Sequence, residues 1–220
     1  MDPRILPFGD AAVLVEVGET ASIGNARRAR ILAAALDRLR DTDPRLGVPV
    51  PAAASVLVPF DPRTMDPAEA EALIARSLPA LGAPDAGSGA PVKEHVIRVR
   101  YGGADGPDLE AVAAEVGRSP ADVVALHAGT AYEVLFLGFA PGFAYLGELA
   151  ADLVVPRLAS PRVRVPAGSV AIAGTMTAVY PRASAGGWRL LGRTEAALFD
   201  PAMSPPARLR PGDRVRFEPA

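Results

Sequence analysis

The run DAAVLVEV (residues 10–17) is apolar and β-branched, which predicts a strand. The next stretch, SIGNARRARILAAALDRLR, changes period: Ile23, Ala26, Ile31, Ala34, Leu36 and Leu39 fall on one broad helical face. AASVLVPF (53–60) predicts a second strand. DPAEAEALIARSL then carries the marks of a helix start, with Asp66 at the cap, Pro67 in the first turn and acids close behind. Strand, helix, strand and helix in succession predict a small α+β N-terminal domain over residues 1–80.

A change of composition ends that domain. PALGAPDAGSGAP (79–91) is rich in Pro, Gly, Ala and Ser and has little to bury, so a linker is expected over 81–91. Beyond it, VKEHVIRVR sets Val92, Ile97 and Val99 among charges, as a half-buried strand does. PDLEAVAAEVG and SPADVVALHAG predict two short helices, the second opened by Ser119 as cap and Pro120 in the first turn. From Tyr132 onward short runs are cut by Gly and Pro: YEVLFL, RVRVP, SVAIAG, TAVYP, WRLLG and DRVRFE. Closely spaced short strands of this kind predict a sandwich or a barrel over residues 92–220.

Composition narrows the chemistry. Half of the 220 residues are apolar, ample for a core, and cysteine is absent, which excludes disulfides, a thiolate nucleophile and Cys-ligated zinc. Two histidines, His95 and His127, are too few for a His-rich metal site, so none is expected. No apolar run approaches the roughly 18–20 residues of a membrane span, and MDPRILPFGD has no charged-then-apolar leader. A soluble, cytoplasmic protein is expected, with neither membrane nor nucleic acid as partner. The net charge of −2 conceals a segregation: residues 157–216 hold ten arginines against Glu195, Asp200 and Asp213. That basic segment favours anionic partners such as carboxylates, phosphates or an acidic subunit, or it is a solvated face of alternating strands.

No general catalytic motif occurs: no G-x-S-x-G, P-loop, H-E-x-x-H or strand-flanked G-x-G-x-x-G. The glycines of YGGADGPDLE (101–110) precede a helix and either cradle an anion or form a structural turn. His127 closes a short helix, where the partial negative charge favours a proton. The stretch GFAPGFAYLGEL (138–149) is unusual because its Gly/Pro turn is greasy: Phe139, Phe143 and Tyr145 wall a cleft, meet a partner subunit or fill the core.

These segments, with RVRVPAGSVAIAGTMTAVYPRASAGGWRLLGRT (162–194), FGDAAVLVEV near the start and RPGDRVRF near the end, make the chain resemble the allophanate hydrolase subunit 1 / KipI family over its whole length. That family includes the B subunit of bacterial 5-oxoprolinase, to which the resemblance is greatest. The resemblance implies an α+β chain whose small N-terminal domain precedes a cyclophilin-like β-barrel. It implies a subunit of an ATP-dependent 5-oxoprolinase, inactive alone. Such a subunit works with a homologous-fold C subunit and a separate A subunit to open 5-oxoproline (pyroglutamate) to L-glutamate. ATP is the implied cofactor, with magnesium held by the partner subunits. The alternative within the family is a KipI-like regulator that binds and inhibits a sensor histidine kinase.

The same resemblance assigns residues. Arg162 and Arg164, of equal parity on one strand, are expected to neutralise anionic charge from one strand face while Val163 and Val165 point to the other, and His127 is the candidate proton carrier. Phe139, Pro141, Gly142, Phe143 and Tyr145 are expected at the substrate or nucleotide site. So are Gly168, Ser169, Thr177 and Tyr180, and Gly186, Gly187, Trp188, Arg193 and Thr194. Relatives commonly read A-G-x-Q-T-G-x-Y-P and S-P-G-G-W here. This chain has Met176 in place of Gln, Ala178 in place of Gly and Ala185 in place of Pro. Loss of the amide removes a donor and an acceptor.

Overall fold

The computed structural model describes residues 2–82 and 91–220. The chain divides into two compact units between Pro91 and Val92. Positions 83–90, most of the expected linker, lie outside the described residues. The linker's first residues are structured: Leu78–Gly82 forms a 3-10 turn, and Leu81 packs on the core of the first unit.

The first unit contains β1 (Arg4–Pro7), β2 (Ala12–Glu16), α1 (Ile23–Arg40), β3 (Val50–Pro51), β4 (Ser55–Pro59) and α2 (Pro67–Ala75). Its four strands form an antiparallel sheet in the order β1-β2-β4-β3. Strand alternation sends Val13, Val15, Val56 and Val58 into the core. The covering face of α1 is Ala26, Ala29, Leu32, Ala33 and Leu36 rather than one centred on Ile31 and Ala34, which stay half-buried. Ser22 and Asp66 cap the two helices, each side chain accepting from the backbone N–H three residues on.

The second unit opens with β5 (Glu94–Tyr101), α3 (Leu109–Glu115) and α4 (Pro120–Ala128). Ser119 and Asp122 complete a capping box at the start of α4. The remaining strands are β6 (Ala131–Leu137), β7 (Ala144–Gly147), β8 (Arg162–Val165), β9 (Ser169–Ala173), β10 (Met176–Val179), β11 (Ser184–Gly186), β12 (Arg189–Arg193) and β13 (Arg214–Pro219). Six of them and β5 close a barrel in the order β10-β7-β6-β13-β5-β12-β9, while β8 and β11 form a separate two-stranded ribbon. β13 runs parallel to β5 and antiparallel to β6, so the last strand closes the barrel between the first two.

Alternation along β9 sorts the unit into two cores. Val170 and Ile172 join Ile97, Val99, Tyr132, Val134, Leu146, Val215 and Phe217 in the barrel interior. Ala171 and Ala173 face the other way, into a second cluster with Phe143, Val165, Ala178, Tyr180, Trp188 and Leu190. The alanines leave room on the outer wall for bulky rings. Among the described residues no helix is long and apolar enough to cross a membrane.

Candidate functional site

The rings gather where the β6–β7 loop folds over that outer wall. The loop is closed by Gly138 N–H donating to Phe143 O at 3.1 Å and Phe143 N–H donating to Ala140 O at 2.9 Å. Within it, Ala140 N–H donates to Gly138 O at 2.7 Å across Phe139, whose φ is 64°. This is the rarer, positive-φ kind of γ-turn, a strained conformation for a bulky residue. Phe139 is 61% exposed, whereas Phe143, four positions on, is buried. Gly142 permits the fold-over: its φ is 77°, and a Cβ there would press on Phe199 and the Leu198 carbonyl. Pro141 is exposed at the tip.

Phe143 is the hub. Its ring centroid lies 5.2 Å from Phe139, 4.9 Å from Tyr145, 5.3 Å from Tyr180 and 5.9 Å from Trp188, all edge-on. Tyr145 stacks on Phe136 at 4.2 Å. Gly186 lies so close to the Tyr180 hydroxyl that a Cβ would overlap it, and Gly187 O accepts from Leu158 N–H at 2.7 Å. Met176 packs against the cluster and Ala178 is buried within it, so two of the three departures from the family pattern lie here, while Ala185 is exposed. The guanidinium of Arg157 sits 5.9 Å from the Trp188 centroid. Burial raises the pKa of Tyr180, opposed by a backbone hydrogen bond from Trp188 and the charges of Arg157 and Arg162. Burial likewise raises that of Tyr145, opposed by Arg157.

Of the two arginines expected to carry the chemistry, Arg162 is differently employed. Arg162 Nη2 donates to Asp108 Oδ1 at 2.6 Å and Nη1 to Trp188 O at 3.4 Å. The other oxygen of buried Asp108 accepts from Leu190 N–H at 2.6 Å. Arg162 is therefore a strut tying β8 to the start of α3 and to β12, with its charge already met. Arg164 is exposed and has no ion-pair partner among the described residues. The expected shared face for Val163 and Val165 does not translate into shared burial: Val165 is buried but Val163 is 93% exposed. Only the Val165 end of β8 reaches the outer-wall cluster.

His127 also needs correction. It is completely buried, and desolvation lowers its pKa to about 3, which overrides the helix-end field expected to favour a proton. Nδ1 lies 2.7 Å from the Tyr101 hydroxyl and Nε2 lies 2.9 Å from Thr177 Oγ1. Thr177 Oγ1 donates to Ala171 O at 3.0 Å, so it accepts from Nε2–H, and Nδ1 accepts from Tyr101. The ring is neutral, satisfied and stacked on Phe217 at 4.6 Å. His127 and Thr177 belong to the barrel interior.

Gly168, Arg193 and Thr194 meet elsewhere, with Arg100, Pro181 and Glu195, around an open groove of about 430 Å³. Arg100 is engaged there by Asp105 at 2.9 Å and Glu195 at 2.8 Å, and Arg193 Nε donates to Ala167 O at 3.0 Å. Gly168, at φ 80°, packs against the Thr194 carbonyl with no room for a Cβ. Ser169 is buried. The glycines of YGGADGPDLE form a structural turn: Gly106 N–H donates to Gly102 O at 2.8 Å, and Gly106 packs on Leu191 O. Among the described residues no cluster of His, Asp and Glu is placed to hold a metal.

Phe139, Phe143, Tyr145, Tyr180, Gly186 and Trp188 thus form one patch, with Gly142 and Gly187 shaping its edges. Sequence reasoning missed Arg157 and Asp108. Arg157 was one of ten arginines in the basic segment, with nothing nearby to single it out. Asp108 stands at a helix start, and its partner lies 54 positions away.

The chain belongs to the carboxyltransferase-domain family: the sequence model described as "Carboxyltransferase domain, subdomain C and D" matches residues 3–209. Among curated proteins the chain is 58% identical over 123 residues to the 5-oxoprolinase B subunit of Escherichia coli O157:H7, covering 56% of each chain. It is 51% identical over 121 residues to the protein of the same name from Bacillus subtilis (strain 168), covering 55% of this chain and 50% of that one. The matches therefore span about half the length of these relatives. Of solved structures, TTHA0988 superposes with a TM-score of 0.79 at 41% identity, over 96% of this chain and 40% of that longer one. The Kluyveromyces lactis urea carboxylase shares the fold, with a TM-score of 0.79 at 19% identity over 99% of this chain and 22% of that one.

Proposed function

We propose that the chain is a subunit of an ATP-dependent 5-oxoprolinase, opening the lactam of 5-oxoproline to L-glutamate with partner A and C subunits. The observation that carries the reading is the 58% identity to a protein of that name. The aromatic patch supports it: rings on a rigid wall suit a compact lactam, and a cation beside them suits its carboxylate. The lactam's apolar edge packs on exposed Phe139, which excludes water on one side.

The groove around Gly168 and Arg193 does not suit a nucleotide. Arg100 in the groove is met by two carboxylates, and the Gly168 backbone is packed against Thr194 rather than open to phosphate. ATP and its magnesium are accordingly assigned to the partner subunits. With His127 neutral inside the barrel, proton transfer is assigned there too. This chain binds and orients.

The test is ADP release coupled to 5-oxoproline consumption, measured on this chain, on its partners, and on all together. Turnover is expected only from the combination. Robust turnover by this chain alone, or unchanged turnover when it is left out, would overturn the reading.

A further inference from the structure

Arg157 differs from the cations around it. Arg162 is matched by Asp108 at 2.6 Å and Arg189 by Glu115 at 3.0 Å. Arg157 has no carboxylate and no hydrogen-bond acceptor among the described residues; its neighbour is the face of Trp188. It is nonetheless held on a fixed backbone. Gly174 N–H donates to Val155 O at 2.7 Å on one side, and Leu158 N–H donates to Gly187 O at 2.7 Å on the other. Pro156 O, in between, accepts from Arg189 Nε at 3.4 Å.

Tyr145 lies against the same indole. The Tyr145 hydroxyl has no hydrogen-bond partner among the described residues, and its ring lies 5.8 Å from Trp188. The charge of Arg157 is felt at both Tyr145 and Tyr180. A guanidinium lying over an aromatic face keeps its edge donors free, and that edge matches a carboxylate in two parallel hydrogen bonds. Arg157 is exposed, so that edge is open to a ligand arriving from solvent. Next to Phe143 and Tyr180, the strained turn at Phe139 projects a large apolar ring into solvent.

We propose that Arg157, with the Tyr145 hydroxyl, is the carboxylate-binding subsite of the outer-wall patch, and that it takes a small monocarboxylate whose compact ring packs on Phe139. Naming that ligand 5-oxoproline rests on the function proposed above; the subsite itself does not. The anion-binding role expected of Arg162 passes to Arg157, because Arg162 is already matched by Asp108. Arg162 instead holds β8 and the Trp188 carbonyl in place beside it.

Trp188 is the only tryptophan of the chain, so its fluorescence reports on the patch without any need for turnover. The full chain is titrated with 5-oxoproline, with 2-pyrrolidinone (the same ring without the carboxylate) and with cyclopentanecarboxylate (a carboxylate without the lactam), alone and with the partner subunits added. Saturable quenching by 5-oxoproline is expected, with 2-pyrrolidinone about ten- to a hundred-fold weaker, the worth of a charged hydrogen bond. Arg157→Gln should weaken 5-oxoproline by the same factor and leave 2-pyrrolidinone unchanged, and Arg157→Lys should recover only part of the loss. Far-UV circular dichroism and Tm establish that the variants are folded. Equal 5-oxoproline affinity in Arg157→Gln and wild type would overturn the subsite. So would the lack of an Arg157-dependent response to either carboxylate in both preparations. Arg157-dependent binding of cyclopentanecarboxylate without binding of 5-oxoproline would uphold the subsite and count against the proposed function.

Discussion

His127 donates its Nε2 hydrogen to Thr177 Oγ1 across 2.9 Å, joining the last turn of α4 to a strand on the far side of the barrel interior. With Tyr101 donating to Nδ1, every polar atom of the imidazole is used in its neutral form. A proton added to the ring would lose the acceptor role of Nδ1 and place a charge in an apolar core.

This gives a stability profile with a definite sign. The folded-state pKa of about 3 lies below the ordinary 6.5, so the unfolded chain takes up the proton first as pH falls. The contribution is fully present above pH 6.5 and is lost progressively down to about pH 3. Its ceiling is about 4–5 kcal/mol, from about 1.4 kcal/mol per unit. Urea midpoints at pH 7.5, 6 and 5 should fall more steeply in wild type than in His127→Gln. Parallel curves would show that the ring is not held neutral.

Arg162→Ala should cost stability, contrary to its expected place on a cleft face. It strips the partner from Asp108, whose side chain is 10% exposed, so about 1–3 kcal/mol is expected from urea denaturation. Arg162→Ala combined with Asp108→Asn should recover part of the loss, because the amide oxygen still accepts from Leu190. Full stability in the single variant would mean that the strut carries no load.

At Phe139 the expectation is reversed. Replacing a ring at φ 64° with glycine relieves about 1 kcal/mol of backbone strain while removing only a mostly exposed side chain. Phe139→Gly should match or slightly exceed wild-type Tm and bind 5-oxoproline less well. A large drop in Tm would show that this ring packs as core.

Gly168→Ala should be destabilising by about 2 kcal/mol or more, because φ is 80° and the new Cβ overlaps the Thr194 carbonyl. Gly103→Ala provides the comparison: its φ is also positive, at 53°, but nothing lies within 4 Å. The difference between their melting temperatures isolates the overlap.

The sequence was most legible where a single segment carries the information. Asp66 and Ser119 announce their helices because a cap bonds within three residues. Strands with several β-branched residues, such as β2, β4 and β9, were also visible. β7 and β11 were not, because AYLG and SAG hold too few apolar positions to show a period. Val92 misled because it precedes β5 and differs in parity from Ile97 and Val99; it is exposed while they are buried. The aromatic loop announced itself by composition, yet only the fold separates exposed Phe139 from buried Phe143. The pairing of Arg162 with Asp108 spans 54 positions, and the placing of Arg157 on Trp188 is also non-local. Ten arginines in one segment cannot be told apart until the chain folds their partners beside them.

Because β13 lies between β5 and β6, the barrel's order of synthesis and its order in space run against each other. Chain emerging from the ribosome can complete the sheet of β1 to β4 early, from neighbouring segments. Residues 94–101 and 131–137 must wait, with backbone groups unmatched and apolar faces uncovered, until residues 214–219 arrive to bridge them. A nascent chain stalled before residue 214 should expose these two seams to chaperones while its first unit is already protease-resistant. A circular permutant whose chain begins just before β13 should shorten that wait.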